Sequence, residues 1–186
     1  YSKINSLKKR GVLKNLVILR NSKNLGFALS TLKGAKKSNY KFIKILHSSN
    51  IENSEDIWKY LTKIKEDTIL LSYPPLNSKR DKFRKSLSSF CTKIFRLASG
   101  LNLNYFQSPI LCLRKDFIKT FPKNHGNFFI SIIIVKLIFL KKKYKKFPIK
   151  YKHKKKGSTA VSFKNFYSLV YSLILILILR IKSNFF

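Results

Sequence analysis

Three stretches of this chain hold side chains able to do chemistry. At Lys154-Lys155-Lys156-Gly157-Ser158-Thr159, lysines can neutralise phosphate, Gly157 lets the backbone approach, and two hydroxyls can donate hydrogen bonds. A second basic group, Lys79, Arg80, Lys82, Arg84 and Lys85, stands where a long helix begins. The third stretch, His47-Ser48-Ser49-Asn50, is a polar turn directly after an apolar run. The first two read as phosphate contacts or as a solvated linker and a solvated helix face. His47 reads as a weak ligand for a softer metal or as a hydrogen-bonding turn residue. No Walker loop, GxGxxG, Ser/His/Asp set or zinc spacing accompanies them.

The elements that must position these residues alternate between strand and helix. A short apolar strand is expected over 16–19, after a basic start (1–14) that reads as a solvated helix or a frayed end. Asn24-Leu25-Gly26 makes a flexible turn, and a helix-compatible run follows to Lys37. Residues 40–46 are dense in aromatic and β-branched side chains and predict a strand. Asn53-Ser54-Glu55-Asp56 gives a polar cap and first-turn carboxylates to the next helix, whose Ile57, Tyr60, Leu61 and Ile64 share one face. Further strands are expected at 68–71, 105–114 and 147–151. Further helices are expected at 81–97 (ended by Gly100), from Lys115-Asp116, at 128–140 and at 163–181. The pattern is that of an α/β fold. In open α/β sheets ligands bind beyond the carboxyl ends of the strands, so the turn 47–50 is the first place to look.

Composition limits the partners. The chain has 186 residues, 45% of them hydrophobic, enough for one domain with a sizeable core. Forty Lys and Arg against seven Asp and Glu leave a formal charge of +33. Such a field attracts polyanions: nucleic acid, an anionic membrane surface or a phosphorylated ligand. The abundance of Lys, Asn, Ile and Phe beside few arginines also fits an AT-rich coding sequence. Cys91 and Cys112 lie on apolar stretches without partner spacing and read as free buried thiols. Starting at Tyr1 and lacking Met, the chain reads as a fragment or a processed product, with no secretory signal at its start. Near the other end, the uncharged run 165–179 spans roughly 22 Å as a helix, short against a bilayer core of ~30 Å. With Lys164, Arg180, Lys182, Tyr167 and Tyr171 around it, the run suits a helix in the membrane interface, or else the core of a domain.

The run NSKNLGFALSTLKGAKKSNYKFIKILH, followed by Ser54-Glu55-Asp56-Ile57, resembles family-2 glycosyltransferases of the dolichol-phosphate-mannosyltransferase-like branch, in the region leading to their acidic metal motif. Ser108, Arg114, Lys115 and Asp116 resemble the family segment D-x-x-S-G-F-x-x-x-R-R-D. Residues 147–151 resemble its E-V-P-I strand, and Lys154 to Thr159 its R-x-x-G-x-S loop. The likeness runs from about residue 16 to 179. It implies a GT-A-like, Rossmann-type sheet over 1–160, incomplete at its N-terminus, and a membrane-interface or transmembrane helix over 161–186. It also implies a nucleotide-sugar donor near His47, Ser49, Lys154, Lys156, Gly157 and Ser158, with Lys79, Arg80 and Arg84 on the acceptor side. The implied acceptor is a polyprenyl-phosphate lipid or a glycan, the implied cofactor Mg or Mn, and the implied place the cytoplasmic face of a membrane. The sequence departs from the family where chemistry is done: Ser49 and Tyr105 (or Asn104, if the register slips) occupy the acid positions, leaving the catalytic residues unassigned.

Two other readings stand beside a transferase, truncated or diverged. One is a non-catalytic, basic, membrane-associated scaffold. The other is a nucleic-acid-binding protein, against which the spread of charge along the chain and the terminal apolar segment argue.

Overall fold

The computed structural model describes residues 17–46, 53–74, 82–123, 126–149 and 163–183. In chain order the elements are α1 (Gly26–Lys37), β1 (Phe42–Lys44), α2 (Ser54–Leu61), β2 (Thr68–Tyr73), α3 (Lys82–Ser99), β3 (Ile110–Leu113), α4 (Arg114–Thr120), α5 (Phe129–Phe139), β4 (Lys143–Pro148) and α6 (Phe163–Ser183). The protein is α/β, as its alternation of patterns predicts.

The sheet is mixed, in the order β1-β3-β2-β4. β3 runs antiparallel to both β1 and β2, whereas β2 and β4 are parallel. β1, β2 and β4 therefore share one direction. Lys44, Leu111, Leu70 and Lys145 form one row across the sheet. One face carries Ile69, Leu71, Ile110 and Cys112 into the main core with residues of α1, α3, α4, α5 and α6. Helix α5 is apolar all round, FISIIIVKLIF, and almost wholly buried, as such a helix must be. The other face is covered by α2, where Tyr60 packs with Leu70 and Leu111 and donates its hydroxyl to the Leu70 carbonyl.

The strands differ in extent from the apolar runs that predict them. No strand occurs at 17–19, the described part of the run expected at 16–19. β1 keeps three of the seven residues at 40–46, because it pairs with β3 only from Phe42 to Lys44. The run 105–114 is strand only from Ile110, since Pro109 has no N–H for a ladder. β4 begins at Lys143 rather than 147, because all six of its residues pair with Thr68–Tyr73 of β2. As a sheet edge it is rich in exposed lysine, which discourages pairing with another chain. Residues 1–14 lie outside the described part.

Candidate functional site at the carboxyl edge of the sheet

Because β1, β2 and β4 run the same way, their carboxyl ends lie on one edge. Leu46, Pro74 and Ile149, the described residues before the stretches bearing His47 and Ser49, Lys79 and Arg80, and Lys154 to Ser158, all stand there. Those nine residues themselves lie outside the described part. Arg84 is in the first turn of α3, with its side chain also outside the description. Tyr105 is half-buried in the segment entering β3, beside Ser72 and Tyr73 at the carboxyl end of β2.

The edge is tied by hydrogen bonds made largely to carbonyls. Lys44 Nζ donates to the Pro109 carbonyl at 3.0 Å and lies 5.0 Å from the centre of the Tyr60 ring. Ser72 Oγ donates to the same Pro109 carbonyl at 3.2 Å, and Ser108 Oγ donates to the Ser72 carbonyl. The Ile149 N–H continues the β4 ladder to Tyr73 O at 2.9 Å. These bonds fix the mouth of β3 between its neighbours.

The amino ends of α1, α5 and α6 converge on a cavity of about 550 Å³. Its lining includes Asn24, Gly26, Gly126, Asn127, Tyr167 and Ser168. Gly26 takes φ +72°, a left-handed turn that glycine makes without strain, and its N–H is held by Asn24 Oδ1 at 2.9 Å. Lys33 Nζ ties the incoming chain to α1 through Arg20 O and Asn21 Oδ1, each at 3.0 Å. Phe27 meets Phe129 edge-to-face at 5.5 Å, which sets the start of α1 against the start of α5. The Asn127 side-chain amide donates to Asn165 Oδ1 and so links α5 to α6. Gly126 lets α6 come close: a Cβ there would stand 2.0 Å from Ser168 Oγ. Ser168 is 7% exposed, and its hydroxyl has no hydrogen-bond partner among the described residues.

The sequence marks this cavity only faintly. The turn Asn24-Leu25-Gly26 is legible in it, as are Tyr167 and Tyr171 as interface aromatics. Their meeting with Gly126 and Ser168 has no local signature, because those residues come from separate elements.

Three ion-paired carboxylates stand at the opposite edge. Glu66 bonds Lys41, Asp67 bonds Lys143 at 3.2 Å, and Asp116 bonds Lys142 at 2.9 Å. The Lys41 hydrogen bond and charge hold the Glu66 carboxyl below its usual range, and a hydrogen bond from Thr68, with Lys143, does the same for Asp67. Glu55 and Asp56 head α2, where Asn53 Oδ1 caps the Glu55 N–H at 2.9 Å. No carboxylate is among the described residues lining the cavity. A hard divalent cation takes oxygen ligands with carboxylates prominent, and no group of three or more His, Cys, Asp or Glu among the described residues could hold one.

Helix α6 is docked on the domain along one side. Ser168, Ser172 and Ile176 are buried, and Arg180 Nη1 donates to Leu97 O at 2.8 Å. Its other side exposes Phe166, Val170, Ile174, Leu177, Ile178 and Ile181. With Tyr167 these fall within an arc of about 120° at 3.6 residues per turn, opposite the buried positions. Residues 165–183 are long and apolar enough to cross a membrane. Comparison of the chain with protein families, with curated proteins and with solved structures finds no match.

Proposed function

We propose that this chain is a family-2-glycosyltransferase-like protein with a partial GT-A-like sheet, which holds a nucleotide-sugar donor at the carboxyl edge of that sheet. One observation carries the reading: the three stretches that resemble the family's donor and acceptor motifs all follow strands ending at the same edge. An electropositive edge suits a diphosphate. Helix amino ends carry partial positive charge, and the lysines of 154–156 would add full ones. The acceptor, a lipid phosphate or a glycan, would reach this edge along the exposed face of α6. That face, beside a chain of charge +33, suits the anionic cytoplasmic face of a membrane.

The second reading is a non-catalytic, membrane-associated scaffold on the same fold. It is favoured by Ser49 and Tyr105 at the acid positions and by the ion-paired carboxylates at the far edge.

Calorimetric titration of the detergent-solubilised chain with UDP- and GDP-sugars, with and without Mn²⁺, tests the transferase reading beside a Ser49→Asp variant. Binding by the unaltered chain supports a working donor site. Binding by the variant alone identifies a decayed enzyme. Absence of binding in both leaves the scaffold, and tight RNA or DNA binding with a steep salt dependence would replace both readings.

A further inference from the structure

We propose that the cavity where α1, α5 and α6 begin is a subsite for an uncharged saccharide. The inference rests on the transferase reading for its biological role, in which the cavity holds a sugar ring of the acceptor.

The described residues lining the cavity include no Lys, Arg, Asp or Glu, in a chain of charge +33. A site built for phosphate in so basic a protein would be expected to present a cation. This one presents amides, hydroxyls and aromatic rings. Tyr167, 70% exposed, stands at its rim, with Tyr171 one helical turn further along α6. Such rings cover the C–H face of a pyranose, while amides and hydroxyls bond its O–H groups. Asn24 uses its carbonyl oxygen on Gly26 and retains an amide donor. Asn127 uses its amide on Asn165 and retains an acceptor. Its volume of about 550 Å³ lies in the range usual for small-molecule sites, about 300–1,000 Å³.

Ser168 supplies an independent observation. A buried hydroxyl is normally satisfied, and one without a partner needs an explanation. This one lines the cavity, beside a glycine whose missing Cβ leaves it room. A sugar hydroxyl would provide the missing partner. Tyr167 also belongs to the exposed apolar arc of α6, so the rim of the cavity adjoins the face offered to lipid. The saccharide could be free or carried on a lipid, and the chemistry recognised is the same.

The test is saturation-transfer NMR of the whole chain in a zwitterionic detergent without a sugar headgroup. The probes are methyl α-mannopyranoside, N,N′-diacetylchitobiose and inorganic phosphate, and vesicles with and without a glucosyl lipid form a separate arm. A saturable signal from a glycoside is expected, weakened about three- to tenfold in Ser168→Ala, the loss of one hydrogen bond. Thermal melting shows whether that variant keeps its fold. A signal confined to the vesicle-borne sugar and sensitive to Ser168→Ala supports the subsite with a lipid source. Absence of any saccharide signal from the folded chain, a signal indifferent to Ser168→Ala, or saturable binding of phosphate alone overturns it. Saccharide binding without nucleotide-sugar binding leaves the subsite standing and removes the transferase reading. Nucleotide-sugar binding without saccharide binding does the reverse.

Discussion

Gly126 and Ser168 are packed so closely that a Cβ atom on the glycine would stand 2.0 Å from the serine hydroxyl and 2.8 Å from its Cβ. Gly126→Ala must therefore push α6 away from the start of α5, at a cost of about 1–3 kcal/mol, typical of overpacking. Ser168→Ala removes a buried hydroxyl with no described partner, and is expected to be neutral or to stabilise by up to ~1 kcal/mol. In a double-mutant cycle by urea denaturation, Gly126→Ala and Ser168→Gly should couple by ~1 kcal/mol or more. Simple additivity would show that the two residues do not touch.

Tyr60 anchors α2 to the sheet through its hydroxyl and its ring. Tyr60→Phe keeps the edge-to-face contact with Phe147 and the Lys44 ammonium near the ring, and deletes only the bond to Leu70 O. A loss of about 1 kcal/mol is expected. Tyr60→Ala should cost ~3–5 kcal/mol, because the smaller cluster on this face is built around that ring. Equal losses in the two variants would mean that the ring contributes nothing.

Acid should weaken the fold through the edge that carries its ion pairs. Glu66 and Asp67 have folded pKa values below their ordinary 4.5 and 3.8, so their contribution is complete above those values and is lost as pH falls through the folded ones. Both groups are exposed, so the effect is screened by salt. Urea midpoints measured from pH 7 down to pH 3 should fall, and Glu66→Gln with Asp67→Asn should flatten that limb. An unchanged limb in the double variant would assign acid sensitivity to other groups.

The two thiols should separate by reactivity. Burial raises the pKa of both, and of Cys112 by far the more. Cys112 is fully buried in the middle of the sheet, whereas Cys91 is half-buried on α3. A thiol reagent at pH 8 should modify Cys91 in the native protein and Cys112 only as fast as the chain unfolds. In a Cys91→Ser variant the remaining reaction should follow denaturant unfolding. Rapid native labelling of that variant would show that the sheet opens locally.

The two sides of α6 should respond oppositely to charge. Ile174, 52% exposed on the outer arc, can become Asp with little effect on folding, but partition onto anionic vesicles should drop about tenfold or more from lost apolar burial. Ile176, fully buried, should not tolerate the same change, and Ile176→Asp is expected to unfold the domain. Undiminished vesicle binding by Ile174→Asp would show that the outer arc does not face lipid.

The sequence by itself determined which segments became helices and, approximately, where. The all-apolar run of α5, the one-sided stripe of α3, the capped start of α2 and the length of α6 are local patterns, set by side-chain periodicity over a few turns. It also placed β2 nearly to the residue, because a strand buried across its length has to be apolar. Strand limits elsewhere were decided by partners. β4 is basic and exposed and is a strand only because β2 offers it six parallel positions, whereas most of the apolar run at 40–46 is left outside a ladder that pairs three residues. The reversal of β3, which brings three carboxyl ends to one edge, is likewise invisible along the chain. So is the cavity, since Asn24, Gly126 and Ser168 become neighbours only when three helices begin side by side. Periodicity is written in consecutive residues. Backbone pairing and close approach depend on residues far apart in the chain, so only the packed structure decides them.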